Sequence, residues 1–198
     1  LTARKGQIVD AALVPVPRQR NSRDENARIK AGEEPEDWPE NKRRQKDVQA
    51  RLTKKHRKSH YGYKNHISID RQHKVIRKYA VSSAAIHDSR VFEVLLDEQN
   101  SSADIWADAS YRSAEREAEL RQARYCSHVH RKGKRGQPLN ARAQEANRKR
   151  STVRARVEHV LAQQANRLVR TIGLERAAVK IGMMNLVYNL RRLAWYAG

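Results

Sequence analysis

The sequence predicts an α/β fold, a single mixed β-sheet flanked by helices and closed by two long C-terminal helices. Three observations predict it. Short apolar or alternating runs bounded by turn residues recur through the first 131 residues, as strands do. Helical spacing of apolar residues appears between the later runs and dominates everything after Ala141. The length of 198 residues with 38% hydrophobic content suits one core, and no internal repeat or second globular unit is visible. Residues 1–198 are therefore expected to form one domain.

The elements follow in order. "GQIVDAALVPVP" carries Ile8, Val9 and Ala11 to Val14 as a buried strand stopped by Pro15 and Pro17, with Asp10 inside it. Residues 18–60 show no sustained period and mix an acidic patch, Glu33 to Glu40, with a basic tail, which predicts a long irregular basic insertion at the surface. "YGYKNHISID" and "KVIRKYAVSSAA" are β-rich and joined by the polar "RQH", so a hairpin is expected. In "HDSRVFEVLLDEQN", Asp88 or Ser89 is placed to cap a helix bearing Val91, Val94 and Leu95. "ADIWAD" reads as a strand, "SAEREAELRQAR" as a helix with Ala114, Ala118 and Leu120 on one side, and "YCSHVHR" as a short strand. After the flexible basic "KGKRGQPL", a helix is predicted from about Ala141 to Leu168, with Val153, Val157, Val160 and Leu161 on one stripe. A last helix repeats Val179, Met183, Leu186, Val187, Leu190 and Ala194, a stripe expected to pack into the core.

Charge narrows the function. Forty-two Lys and Arg against 22 Asp and Glu give a formal charge of +20, and so large an excess repels itself unless a polyanion shares it. Nucleic acid is the expected partner. No 18-residue apolar run is present, so membrane attachment is not expected. The single cysteine, Cys126, excludes an internal disulfide framework and suits a reducing cytoplasm. Cys126, His128 and His130 alternate along one strand, but a structural zinc site would want further thiolates. No glycine-rich phosphate loop points to nucleotide hydrolysis. The chain opens on Leu, which suggests a fragment or a trimmed chain.

Three acids are out of place in this basic chain: Asp10 inside the first strand, Asp108 at the end of "IWAD", and Glu158 beside the apolar stripe of a basic helix. Singly, each has an ordinary explanation: a satisfied structural acid, a turn cap, or an ion pair with Arg154 four residues earlier. Together they suggest more. If the first and fourth predicted strands lie side by side and face a closing helix, the acids meet at one sheet edge. Three like charges at close range need cations. Hard divalent ions with oxygen ligands, two Mg²⁺ or Mn²⁺, suit such a cluster and act on phosphodiesters.

The segments "GQIVDAALVPVPRQRN", "KNHISIDRQHKVIRKYAVSSAAIHDS", "IWADASYRS", "HRKGKRG", "RARVEHV" and "NLVYNLRRL" together resemble the catalytic half of bacterial insertion-sequence transposases of the DDE type, the group named after insertion sequence five. The resemblance covers nearly the whole chain. It implies a ribonuclease-H-like, mixed five-stranded sheet, in which strands 1–3 are antiparallel and strands 1, 4 and 5 parallel. It also implies metal-dependent DNA cleavage and strand transfer by Asp10, Asp108 and Glu158, each both catalytic and metal-binding. The implied partners are double-stranded DNA, as element terminal inverted repeats and target, and further copies of the chain on paired ends, in a bacterial cytoplasm at the nucleoid. Members usually carry an N-terminal DNA-binding region, so such a region is expected to be missing here. Where the family often has a Tyr and a Lys around the Glu, this chain has Ser151 and Ala165.

Between Arg131 and Arg156 ten basic residues face one acid, Glu145, a bias suited to gripping phosphates. Arg131, Lys132, Lys134, Arg135, Arg150, Arg154 and Arg156 are the expected DNA contacts, and Lys42 to Lys46 and Lys54 to Lys58 would extend that surface. His87, Asp88 and Tyr111 form a second tier of candidates. The rival readings are an inactive DNA-binding remnant of a transposase and a structure-selective nuclease on the same fold.

Overall fold

A computed structural model of the chain describes residues 1–55, 57–164 and 167–198. Its centre is strand β1, Gln7–Pro15, whose apolar run is buried on both faces. Ile8 enters a core with Val157 and Val160, whereas the next residue, Val9, enters a second core with Phe92, Leu95 and Tyr111. This period of two puts Asp10 on the same face as Ile8.

A first helix, α1 (Arg23–Ala31), and a second, α2 (Glu40–Gln45), precede strand β2 (Arg51–Lys55). Strand β3 (Lys58–Asp70) then pairs antiparallel with β1 from Gln7↔Asp70 to Pro15↔Gly62. The first part of β3 also pairs with β2, and Tyr63 to Ile69 pair with β4 (Ile76–Ser83). Buried Asp70 closes the β3–β4 hairpin by accepting the amides of His73 (2.7 Å) and Val75 (3.1 Å). On the other side of β1, strand β5 (Asp104–Trp106) runs parallel to it, and β6 (Cys126–Ser127) runs parallel to β5. Helix α3 (Ala114–Gln122) connects these two. Helices α4 (Ala141–Ala162) and α5 (Leu174–Ala197) pack on the Ile8 face, so the molecule is a mixed sheet between helical layers.

The expected antiparallel and parallel pairings around β1 are present, but the sheet has six strands and a different order, because β2 is added. That strand falls in residues 18–60, which are not irregular. Ser22 and Glu25 form a reciprocal capping box that starts α1. Trp38, 3% exposed, donates from Nε1 to Glu25 (2.6 Å), and buried Asp47 accepts the hydroxyl of Tyr63 (2.7 Å) and the amide of Ala50 (2.9 Å). A few long-range anchors therefore order a segment with no periodic apolar face. Residues 87–100 are not a helix but two short 3-10 turns, Asp88–Val91 and Glu93–Leu95. The buried apolar residues there are Phe92 and Leu95, three apart, and Asp88 is drawn to Lys64 (2.8 Å) instead of capping.

Helix α4 stops at Ala162, short of the predicted Leu168. Helix α5 buries Ala177, Ile181, Asn185 and Tyr188, not the expected stripe. Val179, Met183, Leu186, Val187, Leu190 and Ala194 are exposed, Leu186 by 57%. The helix carries two usable faces, and the one chosen holds Asn185. Its side chain closes a buried amide cluster with Asn65 on β3 (2.9 Å) and Gln164 after α4 (2.9 Å). A core pays no penalty for those polar groups only because each finds a partner.

Candidate active site

Parallel pairing of β1 with β5 sets the site. Asp10 lies three residues into β1, and Asp108 two residues past the end of β5. Each carboxylate accepts the next backbone amide, Ala11 at 2.8 Å and Ala109 at 2.6 Å, which fixes its aim. Asp108 is thus also the cap of a short turn, Ala109–Tyr111, so the ordinary explanation and the functional one coexist.

Arg154 of α4 joins them. It donates to Asp10 at 2.9 Å and stands 3.8 Å from Asp108. Its side chain is 13% exposed, against 17% for Asp10 and 49% for Asp108. Burial holds the Asp10 carboxyl above the usual carboxylate range, although the Arg154 guanidinium and the Ala11 amide pull it down. Glu158 is one helical turn beyond Arg154 and lines the same cleft as Asp10, Asp108 and Arg154. It does not pair with Arg154 in the way a simple surface ion pair would, since the guanidinium is committed to the aspartates.

The three acids therefore border one cleft. Among the described residues, however, no three His, Cys, Asp or Glu side chains stand close enough to share a metal ion. The donors are of the right kind, oxygen only, for a hard divalent cation. Their spacing is wider than a closed metal cluster, and Arg154 supplies the counter-charge between two of them.

The expected DNA contacts divide. Arg131, Lys132, Lys134 and Arg135 are exposed on the loop before α4, which Asn147 clamps to the helix through the Arg131 backbone (3.0 and 2.9 Å). Arg150 is half-buried; its burial, and then the neighbouring guanidinium groups of Arg131 and Arg112, weaken its hold on its proton. Such a cluster of cations wants an anion. Arg156 instead donates to the Arg71 carbonyl (2.8 Å) and ties α4 to the β3–β4 hairpin.

Of the second-tier residues, Tyr111 is 1% exposed and packs on Phe92 with ring centroids 5.4 Å apart. Its hydroxyl has no hydrogen-bond partner among the described residues, and burial, then the charges of Asp10 and Asp88, raise its pKa well above the usual tyrosine value. His87 only caps a 3-10 turn, through Ser89 (3.3 Å). Ser151 is exposed on α4, and Ala165 lies outside the described residues.

Sequence reasoning weighed His130 only as a zinc ligand and missed its place beside Asp108. Its amide continues the β5–β6 ladder by donating to the Ala107 carbonyl (3.1 Å), which brings its ring to 3.9 Å from Asp108. The signal was the parallel register of "CSHVH" beside "IWAD". His128 is spent on Asp104 (2.8 Å) and stacks on Trp106. Also missed were Arg18 and His60, which line the far end of the cleft together with Lys55, a residue of the expected basic extension Lys54 to Lys58.

Among the described residues no helix is long and apolar enough to cross a membrane. Comparison with curated proteins and with solved structures gives no match. A family model described as the transposase DDE domain matches residues 2–190. That match covers nearly the full length, and the chain belongs to the transposase DDE domain family.

Proposed function

We propose that this chain is a transposase of the group named after insertion sequence five, cutting DNA at the ends of its element and joining the freed 3′-hydroxyl to target DNA. The observation that carries the reading is the convergence of Asp10 and Asp108 on Arg154, one turn from Glu158, in a single cleft of a strongly basic protein. Asp10, Asp108 and Glu158 would hold Mg²⁺ or Mn²⁺. Such ions, once bound, would supply activation of the attacking water or hydroxyl and stabilisation of the leaving oxygen. Arg154 holds the two aspartates at the cleft, and His130 adds a second nitrogen beside Asp108. Arg131, Lys132, Lys134, Arg135 and Arg150 hold the DNA backbone and fix its register. Paired ends call for more than one copy of the chain.

The test is a labelled duplex carrying the terminal repeats that flank the gene, incubated with Mg²⁺ and the protein. Nicking and joined products that Asp108→Ala abolishes are expected. Binding without nicking, equal in wild type and Asp108→Ala, marks a remnant. Cleavage without joining marks a nuclease.

A further inference from the structure

The cleft that holds the acids does not end at them. It has a volume of about 630 Å³ and continues along β1 as far as Arg18, Lys55 and His60. Side-chain size along β1 explains the opening. Ile8, Asp10, Ala12 and Val14 share a face; Ile8 and Val14 fill the cores under α4 and α5, while Ala12 between them leaves the floor low. Leu161 and Ala162, at the end of α4, form the opposite wall. From Asp10 to Pro15 the strand runs for about 17 Å at 3.4 Å per residue, room for no more than about five nucleotides at the stacked rise of one strand.

We propose that this extension is the track of an unpaired DNA strand running away from the cut phosphate, and that Arg18 and Lys55 hold its phosphates. The inference rests on the strand-cutting reading above. Charge orders the track: carboxylates stand at one end and the Arg18 and Lys55 cations at the other, so only the acid end needs a divalent ion to accept a phosphate. The lining between mixes the apolar and aromatic side chains of Ala12, Leu161 and Tyr61 with the amides of Asn65 and Gln164, which suits the faces and edges of unstacked bases. A duplex keeps its base faces stacked and out of reach of a wall, and a cleft of this volume matches the class that takes small molecules rather than a double helix. Arg18 is already oriented along the wall by donating to the Ser59 carbonyl at 3.3 Å.

Fluorescence anisotropy without divalent ions tests this, using one duplex with blunt ends and the same duplex with four-nucleotide single-stranded tails. The wild-type protein should prefer the tailed duplex. Arg18→Ala with Lys55→Ala should lower tailed-duplex affinity at least tenfold and flatten its salt dependence by about 1.4 in log–log slope, two contacts at ~0.7 each. Blunt-duplex affinity should stay unchanged. Ala12→Leu, which fills the floor without changing charge, should remove the preference too. Equal affinity of wild type for both probes, or equal loss on both probes, overturns the track and leaves the transposase reading standing. Failure of the wild type to bind either duplex overturns both.

Discussion

Replacing Arg154 with Leu removes the one cation shared by Asp10 and Asp108 and tests how the acid pair is held. The guanidinium and the Asp10 carboxylate, 2.9 Å apart at their nearest atoms, attract by about 4 kcal/mol at an effective dielectric of 20 with charge centres near 4 Å. Desolvation of the arginine, which Leu avoids, offsets part of this. The contact with half-exposed Asp108 at 3.8 Å adds no more than about 1 kcal/mol. A net loss of about 2–3 kcal/mol is expected at pH 8, smaller than for a fully buried pair. The pH dependence follows from Asp10, whose pKa is raised in the folded state. A raised group favours folding below its ordinary pKa, and that advantage disappears as pH climbs through the folded value. Without Arg154 the folded pKa rises further, so the cost of the substitution should shrink as pH falls from 8 toward 4.5. Urea unfolding of both proteins at pH 4.5, 6 and 8 measures it. Adding Asp10→Asn should recover most of the loss at pH 8. A cost independent of pH, or no recovery, refutes the proposed coupling.

Three further outcomes are expected. Asn185→Ala orphans parts of Asn65 and Gln164 in the core and should cost about 2–4 kcal/mol in urea melts, with DNA binding intact once folded. Gly62, at φ +148°, sits where β1, β2 and β3 meet, and a Cβ would collide with the Val14 carbonyl oxygen. Gly62→Ala should therefore cost about 2 kcal/mol or more and lower the melting temperature by several degrees. Tyr111→Phe removes a buried hydroxyl without a partner among the described residues and should be neutral or stabilise by up to about 1 kcal/mol; a clear loss of stability would show that the hydroxyl is satisfied in solution.

The candidate site was legible because its acids break local rules. Asp10 interrupts an apolar strand and Asp108 ends one, so both stand out from the pattern around them even though a turn cap alone accounts for Asp108. The role of Arg154 as their bridge was not legible, because the (i, i+4) spacing to Glu158 offers a simpler partner. The same limit appears in α5. Spacing alone marks two apolar faces, and which one turns inward depends on Asn65 and Gln164 reaching Asn185 from elements 120 and 21 residues away. Residues 18–60 have a local capping box, but Trp38 and Asp47 are only anchors because Glu25 and Tyr63 meet them.

The sequence by itself determined the strands around β1, the terminal helices, the charge of +20 and the three misplaced acids, since period, composition and rule-breaking are properties of neighbours along the chain. Tertiary structure alone decided the sixth strand, the inward face of α5, the arginine between the aspartates and the cleft that leads away from them. Those rest on contacts between residues far apart in sequence, where one side chain's burial becomes favourable only when a distant partner satisfies its charge or hydrogen bonds.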